Sequence, residues 1–279
     1  MSEGWPKSKV GSIGEFVERL STFSIRPELI YRGEATIHPH LQASLDRKVP
    51  KTCAFQKRFD EEEELIRSFR DQAERFLGER ELLHVKARKI DCMTVMQHFG
   101  APTRLLDWTE SFMVAAYFAC IDDWGLDGAI WWINSEAVKD SLHGHWEDRG
   151  FNLLPNGSVD LENSIFKPDV YELITGWYLA TSFPRAEVQG GRFTIGTRYA
   201  MDHDVVLKRQ VPEGQYGRIM IPAKLKGSVI EYLKQEKINA VSLQHAGADR
   251  VGLRMAWDLE QKRNPLTASI LPTASKAHN

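Results

Sequence analysis

The segment SFMVAAYFAC, residues 111–120, is apolar nearly all round. A helix of that composition has no face to offer water, so it must be enclosed by the rest of the chain. It follows directly on TRLLDWT, residues 103–109, which reads as a strand. A buried helix fed by a strand requires a layered fold in which helices cover a sheet.

The neighbouring segments extend that plan. Ser12-Ile13-Gly14-Glu15 has the spacing of a capping box and opens a helix to about residue 22. RPELIYRG reads as a short strand, and residues 34–54, with Pro39 and Pro50, as irregular. From Gln56 to Leu77 the apolar residues Ile66, Phe69, Ala73, Phe76 and Leu77 share one helical face. The acidic run Glu61 to Glu64 near its start suits the helix dipole. A further helix from about Val85 to Phe99 ends at Gly100-Ala101-Pro102. GAIWWIN (128–134), GRFTIG and GRIMIP read as strands, and residues 141–165 as a long loop. Val229, Ile230 and Leu233 mark an amphipathic helix, and another is expected at about 248–262. The expectation is an α+β fold: one domain over residues 1–263, followed by a polar tail at 264–279.

Composition narrows the function classes. The net charge of −2 over 279 residues argues against a general polyanion binder, though not against a local basic groove. Lys86, Arg88 and Lys89 form only a short basic face, which reads as surface. Cys53, Cys92 and Cys120 are too few and too scattered for a disulfide framework or a four-cysteine zinc site. No secretory leader and no run of membrane-spanning length is visible, so a cytoplasmic protein that does not engage a membrane is expected. The His-x-His pairs at 38/40 and 143/145 lie in loops with no acidic cluster to complete a site, and no metal is expected. There is no Gly-x-Ser-x-Gly elbow, no Gly-x-Gly-x-x-Gly and no Walker loop.

Three polar motifs remain. Tyr31-Arg32-Gly33-Glu34 sets a guanidinium beside a glycine at the end of an apolar run. That pairing suits an anion, because glycine lets a bulky ligand approach the backbone. MQHFGAPTRLLDWTES, residues 96–111, crowds Gln97, His98, Thr103, Arg104, Asp107, Trp108 and Thr109 between two apolar helices, where each polar group needs a partner. Arg104 and Asp107 could pair with each other, or with backbone, to hold a cleft wall, and His98 could cap a helix end. In PRAEVQGGRFTIG, residues 184–196, Gly190-Gly191 is either a plain turn or a means of keeping a cleft open beside Glu187 or Gln189, with Phe193 anchoring the strand.

YRGE, LQASLDR, MQHFGAPTRLLDWTESFMVAAYFA and RAEVQGGRFT together resemble the FRG domain family, named for a Phe-Arg-Gly motif, over about residues 25–255. Tyr31 stands in place of the family's Phe, Gln189-Gly190-Gly191 in place of a Gln-Gln-Gly, and SLQHAGADRVGL in place of an acidic, Leu-rich run. A more distant resemblance is to arginine-type ADP-ribosyltransferases. Tyr31-Arg32-Gly33 is similar to their first motif. Asp107-Trp108-Thr109 before the apolar helix is similar to their Ser-Thr-Ser motif, and Glu187-Val188-Gln189 lies where their strand glutamate falls.

These resemblances imply a split mixed or antiparallel sheet with flanking helices, and NAD as substrate. Arg32 would meet the pyrophosphate. Glu187 or Gln189 would face the positive charge that develops on the ribose, with Thr109 holding the carboxylate. Tyr31, Trp108 or Phe193 would stack on a ring. Gly33, Gln97, His98, Thr103, Arg104 and Asp107 would complete the binding surface. The implied partners are an antitoxin or other regulatory protein, in a bacterial toxin–antitoxin or phage-defence setting, and a protein or nucleic-acid acceptor. A non-enzymatic nucleotide- or nucleic-acid-binding module, serving as sensor or adaptor, is the alternative.

Overall fold

The computed structural model describes residues 5–48, 54–75, 77–142, 160–166, 172–177 and 184–243. The helix expected at 248–262, the polar tail, Phe76 and most of the 141–165 loop lie outside the described residues. Among the described residues the fold is α+β, with helices packed on a seven-stranded mixed sheet.

In chain order the elements are β1 (Lys7–Lys9), α1 (Ile13–Phe23), β2 (Leu29–Glu34), a 3-10 turn (Asp46–Lys48), α2 (Phe55–Ala73), α3 (Glu79–Lys86), α4 (Lys89–His98), β3 (Leu105–Thr109) and α5 (Phe112–Cys120). There follow β4 (Gly128–Asn134), α6 (Ser135–Asp140), α7 (Leu161–Ser164), β5 (Ile174–Trp177), α8 (Pro184–Val188), β6 (Gly191–Gly196), α9 (His203–Gln210), β7 (Tyr216–Ile221) and α10 (Ala223–Gln235). The Ser12 hydroxyl accepts the Glu15 N–H, and the Glu15 carboxylate returns to the Gly11 N–H, so the expected cap is made. The single helix expected over 85–99 is two, α3 and α4. Ala87, at ψ −133°, breaks the helical path between them.

Strand order is β1-β7-β4-β2-β3-β6-β5, with β1 parallel to β7 and every other pair antiparallel. Opposed residues of an antiparallel pair share a face, so the register sorts the core. On one face Leu29, Tyr31, Ile130 and Ile219 pack against α1, α5 and α10. Leu105 and Ile195, on the same face further along, pack against α2, α3 and α4. On the other face Trp5, Ile30, Leu106, Trp108 and Trp131 pack with Val206 and Leu207 of α9.

Helix α5 lies almost in backbone contact with the sheet. A Cβ on Gly33 would sit 1.9 Å from the Ala115 carbonyl oxygen, and one on Gly128 would sit 2.2 Å from that of Ala119. The alanines of SFMVAAYFAC permit that approach from the helix side. The buried helix and the strand glycines therefore specify one another.

The sheet is pinched at one place. β2 pairs with β4 along its whole length, from Leu29–Asn134 to Glu34–Ala129, and β3 pairs with β6 throughout. β2 and β3 meet only at Tyr31 opposite Thr109. Beyond that pair the two halves of the sheet part.

Candidate functional site

A cleft of about 390 Å³ occupies this parting. It is bounded by β2, β3, β6, α4, α5 and the turn between α8 and β6. Of the residues expected to share a site, Tyr31, Arg32, Gly33, Gln97, His98, Asp107, Trp108, Thr109, Gln189 and Phe193 all border it. Motifs that lie about 160 residues apart in sequence are thus brought around one space.

Arg32 spans the opening. Its Nη1 donates to the Asp107 carbonyl across the sheet at 2.9 Å, and its Nε lies 3.4 Å from Glu34 Oε1. Asp107 alternates with buried Leu106 and Trp108, which turns its side chain to the cleft, 54% exposed. Its Oδ2 accepts the Gln97 amide at 2.6 Å and stands 3.9 Å from Arg32 Nη1. Thr109 Oγ1 donates to the Gln189 carbonyl at 2.5 Å and accepts the Ser111 N–H. Glu110 N–H bonds the Gly190 carbonyl, so the 187–190 turn is fastened to the end of β3. Gly190 has φ +57°, a conformation that favours glycine. Gln189 Nε2 donates to the Leu243 carbonyl. Arg192 and Glu110 form an ion pair beside this turn.

Several expectations are corrected. Glu187 does not border the cleft. It is exposed on α8, and its carbonyl accepts the Gly190 N–H in a helical turn. Residues 187 and 189 therefore do not share a side as they would on a strand, and Gln189 alone turns inward. Arg104 does not border the cleft, and of its two expected pairings the one with backbone is made and the one with Asp107 is not. It is fully buried, its Nε and Nη2 each 2.8 Å from the Glu62 carboxylate, and Nη1 donates to the Ile165 and Gly196 carbonyls. Thr103 is buried behind the cleft rather than on its wall. Tyr31 and Trp108 border the cleft, but their rings belong to the two cores. The Tyr31 hydroxyl donates to the Phe23 carbonyl and the Trp108 Nε1 to Thr194 Oγ1, so neither ring is placed to stack on a ligand. Gly33 is required by α5, and only secondarily by the cleft.

Other cleft residues escaped the sequence reading. Thr94 precedes Gln97 and His98 by three and four residues, the spacing of one helical face. Val114 and Phe118 on α5, with Ile121 at its C-cap, repeat that spacing. Both were visible as periodicities once these helices were known to flank the cleft. Lys226 carried no such signal. Its buried ammonium donates to the Ala35, Asp122 and Asp123 carbonyls at 2.7, 2.8 and 2.9 Å, fixing two residues of the cleft rim. Burial holds its pKa below the usual lysine value.

Behind the cleft lies His203, fully buried, its Nδ1 3.3 Å from Thr194 Oγ1 and its Nε2 without a hydrogen bond. Burial, and then the nearby Arg32 guanidinium, push its pKa down to about 3. A smaller pocket of about 210 Å³ is lined by Glu34, His38, Pro39, His40, Gln42 and Arg47. No described helix is long and apolar enough to cross a membrane.

Residues 27–125 match a family model described as the FRG domain. The matched segment runs from β2 through α5 and so contains Arg32, Gln97, Asp107 and Thr109; the wall formed by Gln189 and β6 lies beyond it. No curated protein and no solved structure matches the chain.

Proposed function

We propose that this chain, with an FRG domain at residues 27–125, binds NAD in the cleft of its divided sheet and transfers ADP-ribose to an acceptor. The observation that carries this reading is the arrangement at the parting of β2 and β3, where one arginine spans the opening beside a cleft-facing carboxylate.

In the reaction the bond between ribose C1′ and the nicotinamide nitrogen breaks. Nicotinamide leaves with the electron pair, and positive charge spreads over C1′ and the ring oxygen. The acceptor forms the new bond to C1′ and loses a proton. Asp107, which borders the cleft where Glu187 does not, is the carboxylate suited to stabilise that charge. Arg32 takes the pyrophosphate through the guanidinium face its present partners leave unused. Phe193 and Phe118 supply apolar surface for a ring, and the Gln189–Gly190 turn closes one end. Such an activity would require restraint in the cell, which fits a toxin held by a regulatory partner.

The test is release of nicotinamide from NAD, followed by chromatography, with a lysate supplying acceptors. Wild type and Glu187→Ala should release it, and Asp107→Ala should lose at least about a hundredfold in rate. Binding of NAD without any cleavage would sink the enzyme and leave a nucleotide-binding module.

A further inference from the structure

We propose that Thr103, which does not touch the cleft, is the positioning residue of the Asp107 carboxylate and acts on it through the Gln97 amide. The proposal deepens the NAD reading and rests on it for the role of Asp107.

The polarity of the hydrogen bonds carries the argument. Thr103 Oγ1 accepts the Leu105 N–H at 3.1 Å. A hydroxyl has one proton, and here that proton goes to Gln97 Oε1 at 2.6 Å. The Asp107 carboxylate only accepts, so the Gln97 NH₂ faces its Oδ2 at 2.6 Å, and Gln97 Oε1 is left to take the Thr103 proton. Asp107 Oδ2 is therefore held as an acceptor at a defined place in the cleft.

Thr103 is itself fixed. Its N–H donates to Ser44 Oγ at 3.0 Å, and its carbonyl accepts the Leu45 N–H at 3.0 Å. The wiring runs from the 44–45 segment, through a residue 1% exposed, to a side chain 54% exposed. The relay ends on the carboxylate that faces the ligand space, where a freely rotating Asp107 would sample unproductive positions.

The test compares Thr103→Val, which keeps shape and removes the hydroxyl, with Thr103→Ser, which restores it. Gln97→Leu cuts the relay at a half-buried position should Thr103→Val fold poorly. The first readout is the Gln97 side-chain amide in a ¹⁵N–¹H spectrum. Wild type and Thr103→Ser should show it shifted and slow to exchange, and Thr103→Val should lose both features. The second is nicotinamide release. Thr103→Val and Gln97→Leu should lower kcat about 10–100-fold with KM changed less than about threefold, and Thr103→Ser should stay near wild type. A Gln97 signal unaffected by Thr103→Val overturns the relay. So does an equal loss of kcat in Thr103→Ser and Thr103→Val, or an unchanged kcat when the signal is gone. If wild type releases no nicotinamide, the NAD reading fails, and the Gln97 signal alone decides the relay.

Discussion

The Arg32 guanidinium donates to the Asp107 carbonyl at 2.9 Å across the place where β2 and β3 cease to pair. A side chain there does what a strand ladder would otherwise do, and it leaves a cleft open beside it. Arg32→Ala should therefore weaken both fold and site. Loss of one charge-assisted bond costs about 1.5–3 kcal/mol, read by denaturant unfolding. Arg32→Lys keeps the charge without the fork and should recover less than half of that loss. A variant as stable as wild type would show that the two halves of the sheet are held together elsewhere.

Arg104 and Glu62 face each other with two bonds of 2.8 Å, both nearly inaccessible to water, and the Tyr199 hydroxyl donates to the same carboxylate. Arg104→Ala should cost about 3–5 kcal/mol, because it strands a buried negative charge. Arg104→Met combined with Glu62→Leu should recover at least half of that, which a double-mutant cycle reads directly. A double variant as unstable as the single one would show that the guanidinium's bonds to Ile165 and Gly196 dominate.

His203 makes stability depend on pH. Its folded pKa is about 3, against 6.5 when free, so the unfolded chain takes up a proton below pH 6.5 and the folded chain does not. Stability is thus lost as pH falls from 6.5 toward 3, at about 1.4 kcal/mol per pH unit. Between pH 7.5 and 5.0 this residue should account for about 2 kcal/mol. His203→Leu, compared with wild type by urea unfolding at those two values, should lack that part of the slope. Identical slopes would mean that His203 gains a proton in the fold.

Much of this was legible in the sequence, for identifiable reasons. The helix 112–120, the strands 105–109 and 128–134 and the cap at Ser12 announce themselves through composition and local spacing. So did the grouping of Arg32, Gln97, Asp107 and Gln189, which lie in three polar motifs that each adjoin an apolar element. What stayed hidden depends on partners distant in sequence. Glu62 lies 42 residues from Arg104 and carries no mark that it would be buried against it. Glu187 and Gln189 alternate correctly for a strand, and only the helical turn of α8 separates them. Tyr31 and Trp108 look like aromatic contacts for a ligand until the register assigns their rings to the cores. Strands β1 and β5 are three and four residues long, too short to show a period.

The most direct measurement is a titration of ¹⁵N-labelled protein with NAD, reading backbone amide shifts. Saturable shifts are expected at Gly33, Thr109 and Gly191 around the cleft, reduced in Arg32→Ala. The amides of His38 and Arg47 at the smaller pocket should stay still. No shifts at millimolar NAD, or shifts confined to the smaller pocket, would contradict it.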